Sequence, residues 1–72
     1  MDKRKIQQQI GTKIKKYRTM RGYSQTELAR SIGKTCPAYI SLIEKGERNI
    51  ATVDLILLCN ILKINLSKFN SL

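Results

Sequence analysis

The sequence predicts an all-α fold, a compact bundle of about five helices. Three observations carry that expectation. Apolar residues recur at helical spacing, helix start and stop signals punctuate the chain, and no stretch calls for a strand. With 72 residues there is room for one small core, near the lower limit for folding without staples. No internal repeat, linker or low-complexity segment interrupts the chain, so residues 1–72 read as a single domain.

In the first helix Ile6, Ile10, Ile14 and Tyr17 line one face, with lysines around the others. Gly11 inside it costs about 1 kcal/mol relative to alanine, which close packing would justify. Gly22 ends it as a left-handed residue. The second helix has a full start signal: Ser24 and Glu27 form a capping box, with Tyr23 and Leu28 at the hydrophobic-staple positions. It buries Leu28, Ala29 and Ile32 and stops near Gly33. The third helix begins after Thr35 or Cys36, either of which would be its N-cap, and Pro37 suits its first turn. Ile40 and Ile43 face inward, and Gly46 ends it. Thr52 caps a fourth helix, with Asp54 in the first turn where a carboxylate favours the dipole. A last short helix starts near Asn65 or Ser67 and carries Phe69.

The charge is large and uneven. Fourteen Lys and Arg stand against five Asp and Glu, a net charge of +9. Most of the excess lies in the first 34 residues, from Lys3, Arg4 and Lys5 to Arg30 and Lys34. A polyanion is the natural partner, nucleic acid or an anionic membrane. The longest apolar run, Leu55 to Cys59, is far too short to span a bilayer, and the N-terminus does not read as a signal peptide. A cytoplasmic protein with two free thiols is therefore expected. Without histidine no histidine-based triad or zinc–histidine site can be built, and two cysteines make a poor metal site. No enzyme, metal, cofactor or small-molecule effector is expected.

The stretch from Ser24 to Asn49 reads as two short helices joined by a glycine-containing turn, the arrangement that places a second helix in the major groove of double-stranded DNA. At this point the chain resembles the Cro and phage-repressor type of helix-turn-helix domain, the Xre-like family. The runs IGTKIKKYRTMRGYSQTELA (Ile10 to Ala29) and YISLIEKGERN (Tyr39 to Asn49) carry the likeness, which extends from about Ile6 to Phe69. Such a match is specific for a lambda-repressor-like fold and for DNA binding, but not for the operator. The aromatic-Ile-Ser start of the third helix and the Glu-Arg-Asn loop look most like the controller proteins of restriction–modification systems. Small phage repressors are the neighbouring reading.

The resemblance implies roles for individual residues. Gln25 looks like the family's phosphate-clamping glutamine, beside backbone amides at the helix start. Arg18 and Glu44 match a structural ion pair that ties the first helix to the third. The reading surface is Thr35, Cys36, Ala38, Tyr39, Ser41, Leu42 and Lys45. Between Gly33 and Tyr39 the chain has one residue more than the commonest family form. Pro37, Ala38 and Leu42 also stand where bidentate base readers are frequent. Hydrogen-bonded readout is therefore sparse, and thymine-methyl contacts and DNA shape contribute more. Arg48 and Asn49 match positions that contact the backbone or a base edge, and Arg48 is the strongest candidate for a bidentate contact to guanine.

Plainer readings stand beside these. Tyr39 either contributes to DNA recognition or packs its ring on the second helix with its hydroxyl in water. Leu42 is a rim core residue in the plainer view, and Lys45 and Arg48 are solvated cations. The lysines of the first helix supply field and solubility. Cys36 is placed where oxidation would disturb docking, whereas Cys59 reads as a small core residue.

The fourth helix is apolar around nearly its whole circumference, which a domain this small cannot cover alone. A symmetric homodimer is expected, built from Leu55, Leu57, Leu58, Ile61, Ile64, Leu66 and Phe69 within residues 53–72. The function expected is a homodimeric, sequence-specific transcriptional regulator on a pseudo-palindromic operator. Its competitors are a non-specific basic nucleic-acid binder and an antitoxin-like protein-interaction partner.

Overall fold

The computed structural model describes residues 2–65. Four helices follow one another in this part: α1 (Lys3–Met20), α2 (Gln25–Ser31), α3 (Ala38–Glu44) and α4 (Thr52–Leu62). The fold is all-α, and these are four helices where about five were expected. The fifth was placed from Asn65 or Ser67 onward, essentially outside the described residues.

Each helix contributes to one core. Ile14 of α1, Leu28 of α2, Ile40 and Ile43 of α3, and Leu58 and Leu62 of α4 are all fully buried. Ile10, Tyr17, Tyr23, Tyr39 and Ile50 pack around them. α3 lies against both α1 and α2, while α4 closes the core from the α1 side. Gly11 explains the closeness of α1 and α3. A Cβ there would collide with the carbonyl oxygen of Ile43 and come within 2.9 Å of that of Glu44. The glycine's helix-propensity cost is thus exchanged for backbone-to-backbone packing.

The turn between α2 and α3 opens at Gly33, with φ +79. The Gly33 amide donates to the Arg30 carbonyl at 3.0 Å, and the Lys34 amide donates to that of Ala29 at 2.9 Å. This pattern satisfies the last carbonyls of α2 and reverses the chain. Gly46 ends α3 in the same way, and any side chain there would strike Gln8 of α1.

Two helix starts differ from expectation. Pro37, rather than Thr35 or Cys36, occupies the cap of α3, and no side chain bonds there. Its backbone is already helical, and its carbonyl accepts the first helical bond, from the Ser41 amide at 3.0 Å. At α4 the cap is Ala51 and Thr52 is the first helical residue. Extended Ala51 supplies the first acceptor, to the Leu55 amide at 2.9 Å. Neither cap is a favoured residue type, so packing rather than capping chemistry sets both boundaries.

The apolar circumference of α4 divides into two faces. Leu58, Cys59 and Leu62 face the protein's own core, and Ile64 just beyond the helix is buried with them. Leu58 and Ile64, expected at a dimer interface, are instead buried in the chain's own core, because α4 packs against α1. Leu55 and Ile61 are half-buried against that core. The outward stripe is Val53, Ile56 and Leu57, exposed to 69, 45 and 39%. Leu66 and Phe69 lie outside the described residues. Both Cys36, exposed, and Cys59, buried, are free thiols, and burial pushes the Cys59 thiol up from its ordinary range.

Candidate nucleic-acid interface

The start of α2 is fixed by reciprocal bonds. The Glu27 amide donates to Ser24 Oγ at 3.0 Å, and the Ser24 amide donates to Glu27 Oε1 at 2.8 Å. The hydrogen bonds from Ser24 hold the Glu27 carboxyl below its ordinary range. This capping box sets the direction in which the first amides of α2 and the side chain of Gln25 emerge.

Gln25 joins a network at the C-terminal end of α3. Arg18 reaches across from α1 and grips the Glu44 carboxylate with two nitrogens, Nε to Oε2 at 2.6 Å and Nη2 to Oε1 at 3.2 Å. Its third nitrogen donates to the Tyr23 carbonyl at 2.8 Å. Gln25 Nε2 donates to Glu44 Oε1 at 2.9 Å. The Arg18 and Glu44 side chains retain only 12 and 4% of their exposure, so this is an ion pair shielded from water. One carboxylate thereby ties α1, α2 and α3 together and orients Gln25. The bond to Glu44 uses one of the two side-chain amide hydrogens of Gln25.

At the other end of α3 the Tyr39 hydroxyl donates to Asp54 Oδ2 of α4. Neither reading of Tyr39 from sequence included this partner. Burial, together with the Asp54 bond, raises the Tyr39 phenol above its ordinary range. Lys34 Nζ lies 3.5 Å from the same Asp54 oxygen and 4.7 Å from the Tyr39 ring centroid. The Arg48 guanidinium stands 5.0 Å from that centroid. Sequence reasoning assigned Asp54 a dipole role and gave Lys34 only a share of the field. The fold-dependent contact between positions 34, 39, 48 and 54 had no local sequence signal.

The remaining residues expected at a DNA-reading surface are exposed or half-buried. Thr35, Cys36, Ala38 and Lys45 are exposed, Ser41 and Leu42 are half-buried, and Arg48 and Asn49 are exposed in the loop that follows. Ala38, Ser41, Leu42 and Lys45 occupy i, i+3, i+4 and i+7 positions, a single helical stripe. The arrangement offers a slender helix edge flanked by cations on a chain of net charge +9. Among the described residues no helix is long and apolar enough to cross a membrane. Nor does any group of three or more Asp, Glu, Cys or His stand together to hold a metal.

Comparison with known families decides what this geometry belongs to. A family model described as helix-turn-helix matches residues 14–69. The chain belongs to the Cro and phage-repressor type, Xre-like helix-turn-helix family. The protein is a DNA-binding transcription regulator. No match was found among curated proteins.

Proposed function

We propose that the helix-turn-helix protein is a sequence-specific regulator that binds a pseudo-palindromic operator as a homodimer. The observation that carries this reading is the single stripe of Ala38, Ser41, Leu42 and Lys45 on α3, continued by Arg48 and Asn49. A helix edge bearing Ala38 and Ser41 beside Leu42 and Lys45 suits the major groove, with Thr35 and Cys36 at its entrance. Gln25 and the α2 amides grip a phosphate that sets the register. Arg48 reaches a guanine edge, and Ala38 and Leu42 meet thymine methyls. Tyr39 acts by supporting this surface, since its hydroxyl is engaged by Asp54.

The dimer is built from the outward stripe of α4. Val53, Ile56, Leu57 and Asn60 fall at i, i+3, i+4 and i+7, and all four are exposed. Leu55 and Ile61 flank the stripe. Two copies related by a twofold axis through it would present two α3 helices to successive major grooves about 34 Å apart. Within this reading the Tyr39–Ile40–Ser41 start of α3 and the Glu47–Arg48–Asn49 loop favour a controller protein of a restriction–modification system, working in the cytoplasm.

Competition binding tests the proposal. Binding to a preferred sequence should survive excess random DNA, and sedimentation at tens of micromolar should show a dimer. Loss of binding under competition would indicate a non-specific binder. A strict monomer would remove the dimer, and a stoichiometric protein partner without any DNA footprint would point to an antitoxin-like role.

A further inference from the structure

Asp54 is a buried charged residue at the edge of the core, 7% exposed. Its place in the first turn of α4 does not require burial, because the helix dipole favours an exposed carboxylate there equally well. What burial achieves is a fixed acceptor for a distant side chain. Tyr39 donates its hydroxyl to Asp54, and the ring so held lies beneath the Arg48 guanidinium at 5.0 Å. Lys34 bridges the same pair, 3.5 Å from the carboxylate and 4.7 Å from the ring centroid. The four residues come from the α2–α3 turn, α3, the α3–α4 loop and α4.

Resting on the reading that Arg48 contacts a base, we propose that Asp54 is a positioning residue for DNA reading. It acts through Tyr39, whose ring is the platform on which Arg48 is held. The physical basis is entropic and geometric. A hydrogen bond to an ionised acceptor is stronger than a neutral one and stops the ring from swinging. A guanidinium resting on an aromatic face uses that face and keeps its edge N–H groups for a base. An arginine ordered before binding loses less rotamer freedom when it docks. Asp54 thereby influences base choice without touching DNA.

The test is a double-mutant cycle on a preferred DNA site and on single-base variants of it, each protein first shown to be folded by circular dichroism. Arg48→Ala should lower discrimination at one base position by about tenfold or more. Tyr39→Phe keeps the ring but loses its tie. It should lower discrimination at that same position by roughly three- to tenfold, with affinity for random DNA and the salt slope unchanged. In the Arg48→Ala background, Tyr39→Phe should add nothing. Asp54→Asn, which keeps an acceptor for the Tyr39 hydroxyl, should retain more discrimination than Asp54→Ala. Additive effects of Tyr39→Phe and Arg48→Ala, or equal losses on every sequence, would overturn the relay while leaving the Arg48 contact intact. Asp54→Asn no better than Asp54→Ala would overturn the part assigned to Asp54. An Arg48→Ala protein with unchanged base preference would overturn the Arg48 reading, and the relay with it.

Discussion

The two ends of α3 are held by different chemistry. At the C-terminal end Glu44 is clasped by Arg18 and Gln25 in a network with little exposure to water. At the N-terminal end Tyr39 is tied to Asp54, and the cations beside it, Lys34 and Arg48, are still partly or wholly in solvent. The first arrangement fixes where the helix sits on α1 and α2. The second fixes how side chains are offered to a ligand. A buried ion pair of this kind contributes little net stability over apolar packing, but losing one partner is costly. An aromatic platform works in the opposite way, with a modest stability contribution and a larger effect on what its guests can reach.

Substitutions that break one end and spare the other should separate these roles. Arg18→Ala leaves the Glu44 carboxylate buried with Gln25 as its remaining side-chain donor, and should cost about 3–5 kcal/mol of folding stability, read by urea unfolding. Gly11→Ala presses a methyl group against the Ile43 carbonyl. It should cost about 3 kcal/mol or force α1 away from α3, visible as a fall in thermal midpoint. Tyr39→Phe removes one bond to a charged acceptor and should cost about 1.5–3 kcal/mol in the same measurement, beside its effect on DNA discrimination. Ser24→Ala, which frees one amide of α2 beside Gln25, should cost about 1 kcal/mol.

The same capping box also has a pH signature. The folded-state carboxyl of Glu27 is depressed by its bonds to Ser24, so its contribution is complete above the ordinary carboxylate range. It is lost as the pH falls through the depressed value. Unfolding of the wild-type protein should therefore steepen with acid in that window more than unfolding of Glu27→Gln, whose amide does not titrate.

The sequence made the two ends of α3 unequally legible. Glu44 stands near a helix C-terminus, the wrong end for its charge, which demands a cation, and the family likeness named Arg18. The two are in contact. The capping box of α2 is a local pattern and could be read from four residues, Ser24 to Glu27, and the buried Ile40 and Ile43 followed from helical spacing. The Tyr39–Asp54 tie spans 15 positions and two helices, and each residue alone had an adequate local explanation. The helix starts at Pro37 and Ala51 were missed because tertiary packing, not a capping side chain, sets them. In α4 the apolar pattern runs around the whole helix, so pattern alone could not assign the faces. Leu58 and Ile64 went to the core, and Val53, Ile56 and Leu57 to the outside.

The central claim is that α3 and the loop after it read a defined DNA sequence in two symmetric halves. Selection of bound sites from a random DNA pool, at fixed salt, tests it most directly. An enriched inverted repeat is expected, with half-site centres about one helical turn apart, roughly 10–10.5 base pairs. Arg48→Ala should also relax the sequence at matched positions in both halves. A pool that stays random after repeated selection, while the protein still binds it, would contradict the account.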